Sequence, residues 1–458
     1  MKGKGISMKG VDAQLEQVFI DSIGEIELIP NAEEYLVAVC CWGFLNENHT
    51  VTTVSEMIRK MKDCYDGSPL VQGMRNLKAF DFSDEELVSL MFMYRQIYEK
   101  GLTPLDYGIY SRHSEYEQIQ QGKDGLLRRG IIKRVGNSSS NPERRADQKA
   151  RFLPTPAAFG QLFSDRKDLV SLDALSNQAE IITSSSIQRT ELFFNEINRD
   201  DVERLYQLLD PEKFQAIMDR LRARGRKASA SCLLYGAPGT GKTELAKQLS
   251  LATGRDIVMA DAAKLYSSYH GDTEKNVEEL FEAYSYIQCV SSNAPILLFN
   301  EADGFLSKRT DLMRQAIDKI ENRVQNILLQ ALEDFEGIFI ATTNLADNID
   351  PAFERRFLYK IEFQVPDSQT RAKIWLSKIP DLDRGEAMIL ASQYKFSGGQ
   401  IDNVAKKRDI DEAIYDEKPS LEKMMNYCDN ELIAATGNTL MEKIEYGQKF
   451  FQHGGAMS

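Results

Sequence analysis

"CLLYGAPGTGKTE", residues 232–244, decides how the rest of the chain is read. An apolar run from Cys232 to Tyr235 has the texture of a buried strand, a glycine-rich turn follows, and a helix starts at its end. Within it Gly236, Gly241, Lys242 and Thr243 satisfy the pattern G-x-x-x-x-G-K-[ST]. The physical sense of that spacing is direct. Glycines let the backbone wrap closely around phosphates, and the N–H groups of the loop and of the helix start meet the negative charge. A chance glycine loop is the competing reading, and the strand before it and the helix after it argue against that.

The binding loop is therefore read as Gly236, Ala237, Pro238, Gly239, Thr240, Gly241, Lys242, Thr243 and Glu244. ATP and Mg²⁺ are the expected cofactors. Lys242 is expected to reach the β and γ phosphates, and the Thr243 hydroxyl to hold the metal. Downstream the alternation continues: "DIVMAD" as strand, "EKNVEELFEAY" as helix, "ILLFNEAD" as strand, a long helix ending "NILLQALEDF", and "GIFIATTN" as strand. Val277, Leu280, Phe281 and Tyr284 fall at i, i+3, i+4 and i+7, which predicts the buried face of that helix. Continuous apolar strands between helices predict an α/β fold with a parallel sheet covered on both faces, its ligand at the carboxyl ends of the strands.

Four motifs, "GAPGTGKT", "ILLFNEAD", "IATTN" and "DPAFERRF", occur in an order and at spacings that resemble the AAA family of ATPases, over roughly residues 229–407. "SSYHGDTEKNVEELF" is similar to the AAA segment that carries the central pore loop and the helix after it. The resemblance implies that Glu301 orients and polarises the attacking water and that Asn344 is the polar sensor near the γ-phosphate. It also implies that Arg355 and Arg356 reach into a neighbouring subunit's site, hence a homo-oligomer, usually a ring of six. A surface salt-bridge pair is the alternative for these arginines. Tyr269 stands where family members that unfold or remodel proteins carry an aromatic pore residue; a buried or lid-packing tyrosine is the alternative. "FSGGQIDNVAKK" resembles the second sensor region but has no arginine at its opening, where Gly398 and Gly399 stand. Residues from Asp367 onward resemble the family's small helical lid.

Asn300 departs from the pattern. The family usually has Asp there, beside the hydrated Mg²⁺, whereas here Thr243 and Asn300 form the expected metal pair. An amide oxygen still accepts a hydrogen bond from a metal-bound water, but one negative charge near the ion is gone. Metal affinity is expected to fall while Glu301 remains, giving an active enzyme with an altered metal shell.

The N-terminal half has a different texture. Residues 1–77 read as a helical region and 84–100 as an amphipathic helix with Leu87, Leu90, Met91, Tyr94, Ile97 and Tyr98 on one face. A helix end, a strand "IIKRV", a polar loop, a strand "RFLPT" and a further helix make 78–165 resemble a winged-helix module. From Lys123 to Arg151 nine basic residues face three acidic ones, a local excess of +6 in a chain of net charge −13. That excess suits weak phosphate contacts to DNA, or a solvated hairpin on a protein-docking module. Residues 166–228 read as linker and helix, 229–366 as the large ATPase domain, 367–446 as the lid and 447–458 as a tail.

Six scattered cysteines without a C-x-x-C, and only four histidines, fit neither a disulfide framework nor a zinc site. The longest apolar run, Tyr35 to Leu45, is too short for a membrane span, so no membrane association and a cytoplasmic setting are expected. The leading expectation is a chaperone-like ATP-driven ring that remodels or unfolds a protein partner. A nucleic-acid-associated ATPase recruited by the basic module, and a nucleotide-gated scaffold with low turnover, are the alternatives.

Overall fold

The computed structural model describes residues 86, 97, 125–135, 151–162, 179–260, 265, 272–307, 316–344 and 349–436. The helical region 1–77, most of the helix expected over 84–100, the basic loop with Arg144, Arg145 and Lys149, the proposed pore residue Tyr269 and the tail lie outside the described residues. Two compact units emerge: residues 1–179 together with 275–294, and residues 180–274 together with 295–458.

In the first unit a helical turn, Gly125–Arg128, leads into β1 (Ile132–Val135), which pairs antiparallel with β2 (Arg151–Pro154) before α1 (Pro156–Leu162). This is the expected order of elements around the basic loop. Glu86 and Ile97 are both helical, and Ile97 is buried. The unit also takes in residues 275–294. The Tyr286 hydroxyl donates to the Pro154 carbonyl at 2.5 Å, its ring meets Phe159 edge-on at 5.8 Å, and Lys133 pairs with Glu282 at 2.9 Å. Gly160 permits a close approach there, because a Cβ on it would stand 2.7 Å from that of Cys289.

The second unit is built on a six-stranded sheet of order β3-β5-β6-β7-β4-β8. Its strands are β3 (Ala179–Ile182), β4 (Ser229–Gly236), β5 (Ile257–Ala260), β6 (Ile296–Phe299), β7 (Gly337–Thr343) and β8 (Tyr359–Phe363). The pairs β5–β6, β6–β7, β7–β4 and β4–β8 are all parallel. Every residue of β6 and β7 is buried, as continuous apolar central strands require. Phe339 on β7 anchors this layer, 5.2 Å from Phe299, 6.0 Å from Phe335 and stacked on Phe357 at 5.8 Å.

Two strands were not foreseen. β3 lies in the segment read as a connection, and β8 follows the "DPAFERRF" motif. The helix expected within 166–228 is two helices, α2 (Glu196–Leu209) and α3 (Pro211–Ala223). Pro211 cannot donate into a continuing helix but suits a first turn, and the Asp210 side chain caps that turn by accepting from Lys213 N–H at 3.2 Å. Arg255, 2% exposed, holds this helix pair: its Nε donates to Leu209 O at 2.9 Å and its guanidinium lies 4.6 Å over Phe214.

The helix after the glycine loop is α4 (Lys242–Thr253); α5 is Asp272–Val290 and α6 is Ala316–Asp334. Val277, Leu280 and Tyr284 are fully buried, as their spacing predicts, whereas Phe281 is only partly buried. Beyond β8, α7 (Ser368–Lys378), α8 (Arg384–Gln393), α9 (Gly398–Tyr415) and α10 (Leu421–Thr436) pack around Trp375, Leu390, Phe396 and Ile401. Arg371 is almost buried and ties α7 to its surroundings, donating to Ala391 O at 2.8 Å and Pro366 O at 2.5 Å.

Candidate functional site

The site forms where β4, β6 and β7 end. Gly236 closes β4 at φ 134°, and a Cβ there would come within 2.2 Å of Phe363 O on the neighbouring strand, so only glycine fits. Gly239 (φ 72°) and Gly241 (φ 96°) take the left-handed region that lets the loop curl before α4 begins at Lys242. Lys242 is 6% exposed, and its ammonium donates to Gly236 O and Ala237 O at 2.8 Å and to Asn344 Oδ1 at 2.9 Å. All three partners are uncharged. Burial lowers the Lys242 pKa from its usual value, against the opposing pull of Asp303 and Glu301.

The Thr243 hydroxyl donates to Asn300 Oδ1 at 2.6 Å, joining the two residues expected around the metal. Thr342 donates to the same oxygen at 3.0 Å and accepts the Glu301 N–H at 3.0 Å. Glu301 itself is exposed and held at φ 54°, a conformation that non-glycine residues rarely take. Asp303 braces the turn at Asn344 by accepting the Asn344 N–H at 2.9 Å and the Thr343 hydroxyl. Thus two hydrogen-bonded sets meet at the cleft, Lys242 with Asn344 and Asp303, and Thr243 with Asn300, Thr342 and the Glu301 N–H. Arg355 and Arg356 are not part of either. They lie exposed on the turn after Pro351–Glu354, and Arg356 pairs with Glu333 at 2.8 Å.

A cleft of about 390 Å³ opens over the loop. Pro238 to Glu244, Lys247, Glu301, Thr342 and Asn344 line its polar end, and Leu192, Phe193 and Phe194 with Ile374 add an apolar wall. Sequence reasoning missed this wall and the bracing roles of Thr342 and Asp303. The signal available was the Leu192-Phe193-Phe194 run in an otherwise polar connection. That segment is fixed by Phe194 against Phe363 at 5.9 Å, by Asn195 Oδ1 accepting the Asp367 N–H at 2.9 Å, and by Gln248 donating to Gln188 O at 2.8 Å. From the start of α9 Gly399 N–H donates to Gly239 O at 2.9 Å, and Ser397 caps α9 by accepting from Gln400 N–H.

The family model described as "ATPase family associated with various cellular activities (AAA)" matches residues 232–365. Those residues are an AAA ATPase domain. Similar proteins include Protein CdcH of Halobacterium salinarum, 28% identical over 323 residues, which are 64% of this chain and 41% of that protein. A putative 26S proteasome regulatory subunit homologue of Methanocaldococcus jannaschii is 30% identical over 206 residues, 43% of this chain and 54% of its own. Vacuolar protein sorting-associated protein 4 of Dictyostelium discoideum is 29% identical over 224 residues, 48% of this chain and 49% of its own. The chain thus spans about half, or less, of the length of these relatives.

The residues of the AAA domain fit ATP with Mg²⁺. A nearly buried ammonium whose partners are neutral oxygens, set in a loop of glycines at positive φ, suits a polyanion. Gly239 to Thr243 would hold the phosphates, and Thr243 with Asn300 would hold Mg²⁺. The ion, when bound, supplies charge neutralisation at the phosphoryl group. Among the described residues no cluster of three or more His, Cys, Asp and Glu side chains offers a different metal site, and no helix is long and apolar enough to cross a membrane.

Proposed function

We propose that this chain is an ATP-hydrolysing AAA motor that assembles into a homo-oligomeric ring and remodels or unfolds a protein partner. The observation that carries the catalytic part is the hydrogen-bonded chain from Thr243 through Asn300 and Thr342 to the Glu301 N–H, with Lys242 held to Asn344 in the same cleft, at the carboxyl ends of three parallel strands. In this reading Lys242 neutralises the β and γ phosphates and Glu301 orients a water and accepts its proton. Asn344 links the γ-phosphate to the loop lysine. Arg356, and Arg355 beside it, stabilise charge at the neighbouring subunit's site. The names of two relatives, a putative 26S proteasome regulatory subunit homologue and a vacuolar protein sorting-associated protein, support a protein rather than a nucleic acid as the substrate. Tyr269 is the residue proposed to grip it.

The test is Glu301→Gln in the full chain. Phosphate release is expected to vanish while ATP binding persists, and the trapped form is expected to retain a protein partner in pull-downs. Absence of turnover by the unmodified protein at high Mg²⁺, with nucleotide-dependent assembly intact, would instead favour the scaffold reading that Asn300 motivates. A DNA-associated reading rests on the +6 excess between Lys123 and Arg151. It predicts salt-sensitive DNA binding that Arg144→Ala, Arg145→Ala and Lys149→Ala together weaken for all sequences alike, and no DNA shift at low salt would remove it.

A further inference from the structure

We infer that Thr342 is a positioning residue that fixes which end of the Asn300 amide faces Thr243, and so allows an amide to stand beside the metal. The inference rests on the nucleotide and Mg²⁺ reading above. A carboxylate presents the same acceptor chemistry whichever way it turns, whereas an amide has an accepting oxygen at one end and a donating NH₂ at the other. Thr243 has one hydroxyl proton. For its oxygen to offer a lone pair to a cation, that proton must point away, towards an acceptor. Asn300 Oδ1 at 2.6 Å is that acceptor. A turned amide would aim an N–H at the Thr243 oxygen and compete with the cation for its lone pair.

What holds the amide the right way round is Thr342, 2% exposed at the end of β7. Its hydroxyl donates to Asn300 Oδ1 at 3.0 Å while its oxygen accepts the Glu301 N–H at 3.0 Å. With the peptide N–H of Glu301 already pointing at that oxygen, a turned amide would bring a second donor to it and strip the buried hydroxyl proton of its acceptor. One hydroxyl therefore sets both the polarity of the metal-proximal amide and the left-handed turn that presents Glu301.

The experiment measures Mn²⁺ binding to the full-length protein in the presence of ADP, by the electron paramagnetic resonance signal of the free ion. Thr342→Val, which keeps the shape and removes the hydroxyl, is expected to weaken Mn²⁺ binding about tenfold, and Thr342→Ser to return it to within about twofold of the original. In the Asn300→Asp background Thr342→Val is expected to have little effect on Mn²⁺, because a carboxylate has no wrong end, although the lost contact to Glu301 N–H still slows turnover. ADP affinity without metal stays level throughout. The inference is overturned if Thr342→Val leaves Mn²⁺ binding unchanged, or weakens it equally in both backgrounds. If the unmodified protein binds no Mn²⁺ with ADP, the nucleotide–metal reading fails and the inference with it. Should the valine variant not fold, Thr342→Ala takes its place in the same comparison.

Discussion

Glu301 stands at φ 54° on an exposed turn, a left-handed backbone that costs a non-glycine residue about 1–3 kcal/mol. Glycine adopts that conformation freely but also enlarges the unfolded ensemble, and the two effects oppose each other. Glu301→Gly is accordingly expected to keep the melting temperature level or raise it while phosphate release is lost. A fall of many degrees would show that the side chain stabilises the fold and is not there for chemistry. One position earlier, Asn300→Asp is expected to lower the Mg²⁺ concentration needed for half-maximal turnover, since it restores a charge beside the ion. An unchanged requirement would refute the altered-shell account. That an amide occupies position 300 is legible in the sequence, but its orientation is not, because the donor that sets it comes from Thr342 on another strand.

At the level of elements, the glycine loop depends on one close approach. Gly236→Ala would force a Cβ to within 2.2 Å of the Phe363 carbonyl at a positive φ, and is expected to destabilise the fold by about 2–4 kcal/mol in denaturant melts. The lid depends on its caps. Asp367 accepts the Thr370 N–H at 2.7 Å at the start of α7, and that bond holds its carboxyl below the usual range. Because the folded value is the lower one, the cap's contribution is complete above the ordinary carboxylate pKa and is lost as pH falls through the folded value. Asp367→Ala is expected to cost about 1 kcal/mol near neutral pH, and the gap to the unmodified protein should close in acid. A gap that persists at low pH would point to a packing role. The central strands and the glycine loop were legible because a buried parallel strand is a continuous apolar run. β8 and β3 were not, because they lie at the sheet's two edges, where "YKIEF" alternates exposed and buried residues and "AEII" is at most half-buried.

For the whole molecule, the role proposed for Arg356 bears on whether the chain works alone. Arg356 pairs with Glu333, both side chains substantially exposed, and such a pair contributes about 0–1 kcal/mol, little enough for a neighbouring subunit to compete for the guanidinium. Arg356→Ala is expected to bind ATP normally and hydrolyse it poorly, and mixing it with Lys242→Ala subunits should partly restore turnover. If rings form and no rescue follows, the site is not shared between subunits. Local periodicity found α5 and its buried face. It could not tell that residues 275–294 cluster with the N-terminal hairpin, since that depends on Tyr286 and Glu282 meeting partners more than a hundred residues away.

The bond from Gly399 N–H to Gly239 O joins the start of α9 to the glycine loop through main chain on both sides. Among side-chain exchanges only proline at 399 would delete it, and its ring adds bulk of its own. Other variants of these two glycines also test bulk, because a Cβ on Gly239 would press on Ser397 Oγ at 2.7 Å. The atom itself is within reach of protein semisynthesis: an ester in place of the amide between Gly398 and Gly399 removes that donor and leaves every side chain as it was. Coupling between bound nucleotide and α9 that survives the ester would travel by the remaining contacts, the apolar wall of the cleft among them; coupling that disappears would locate the transmission in a single proton.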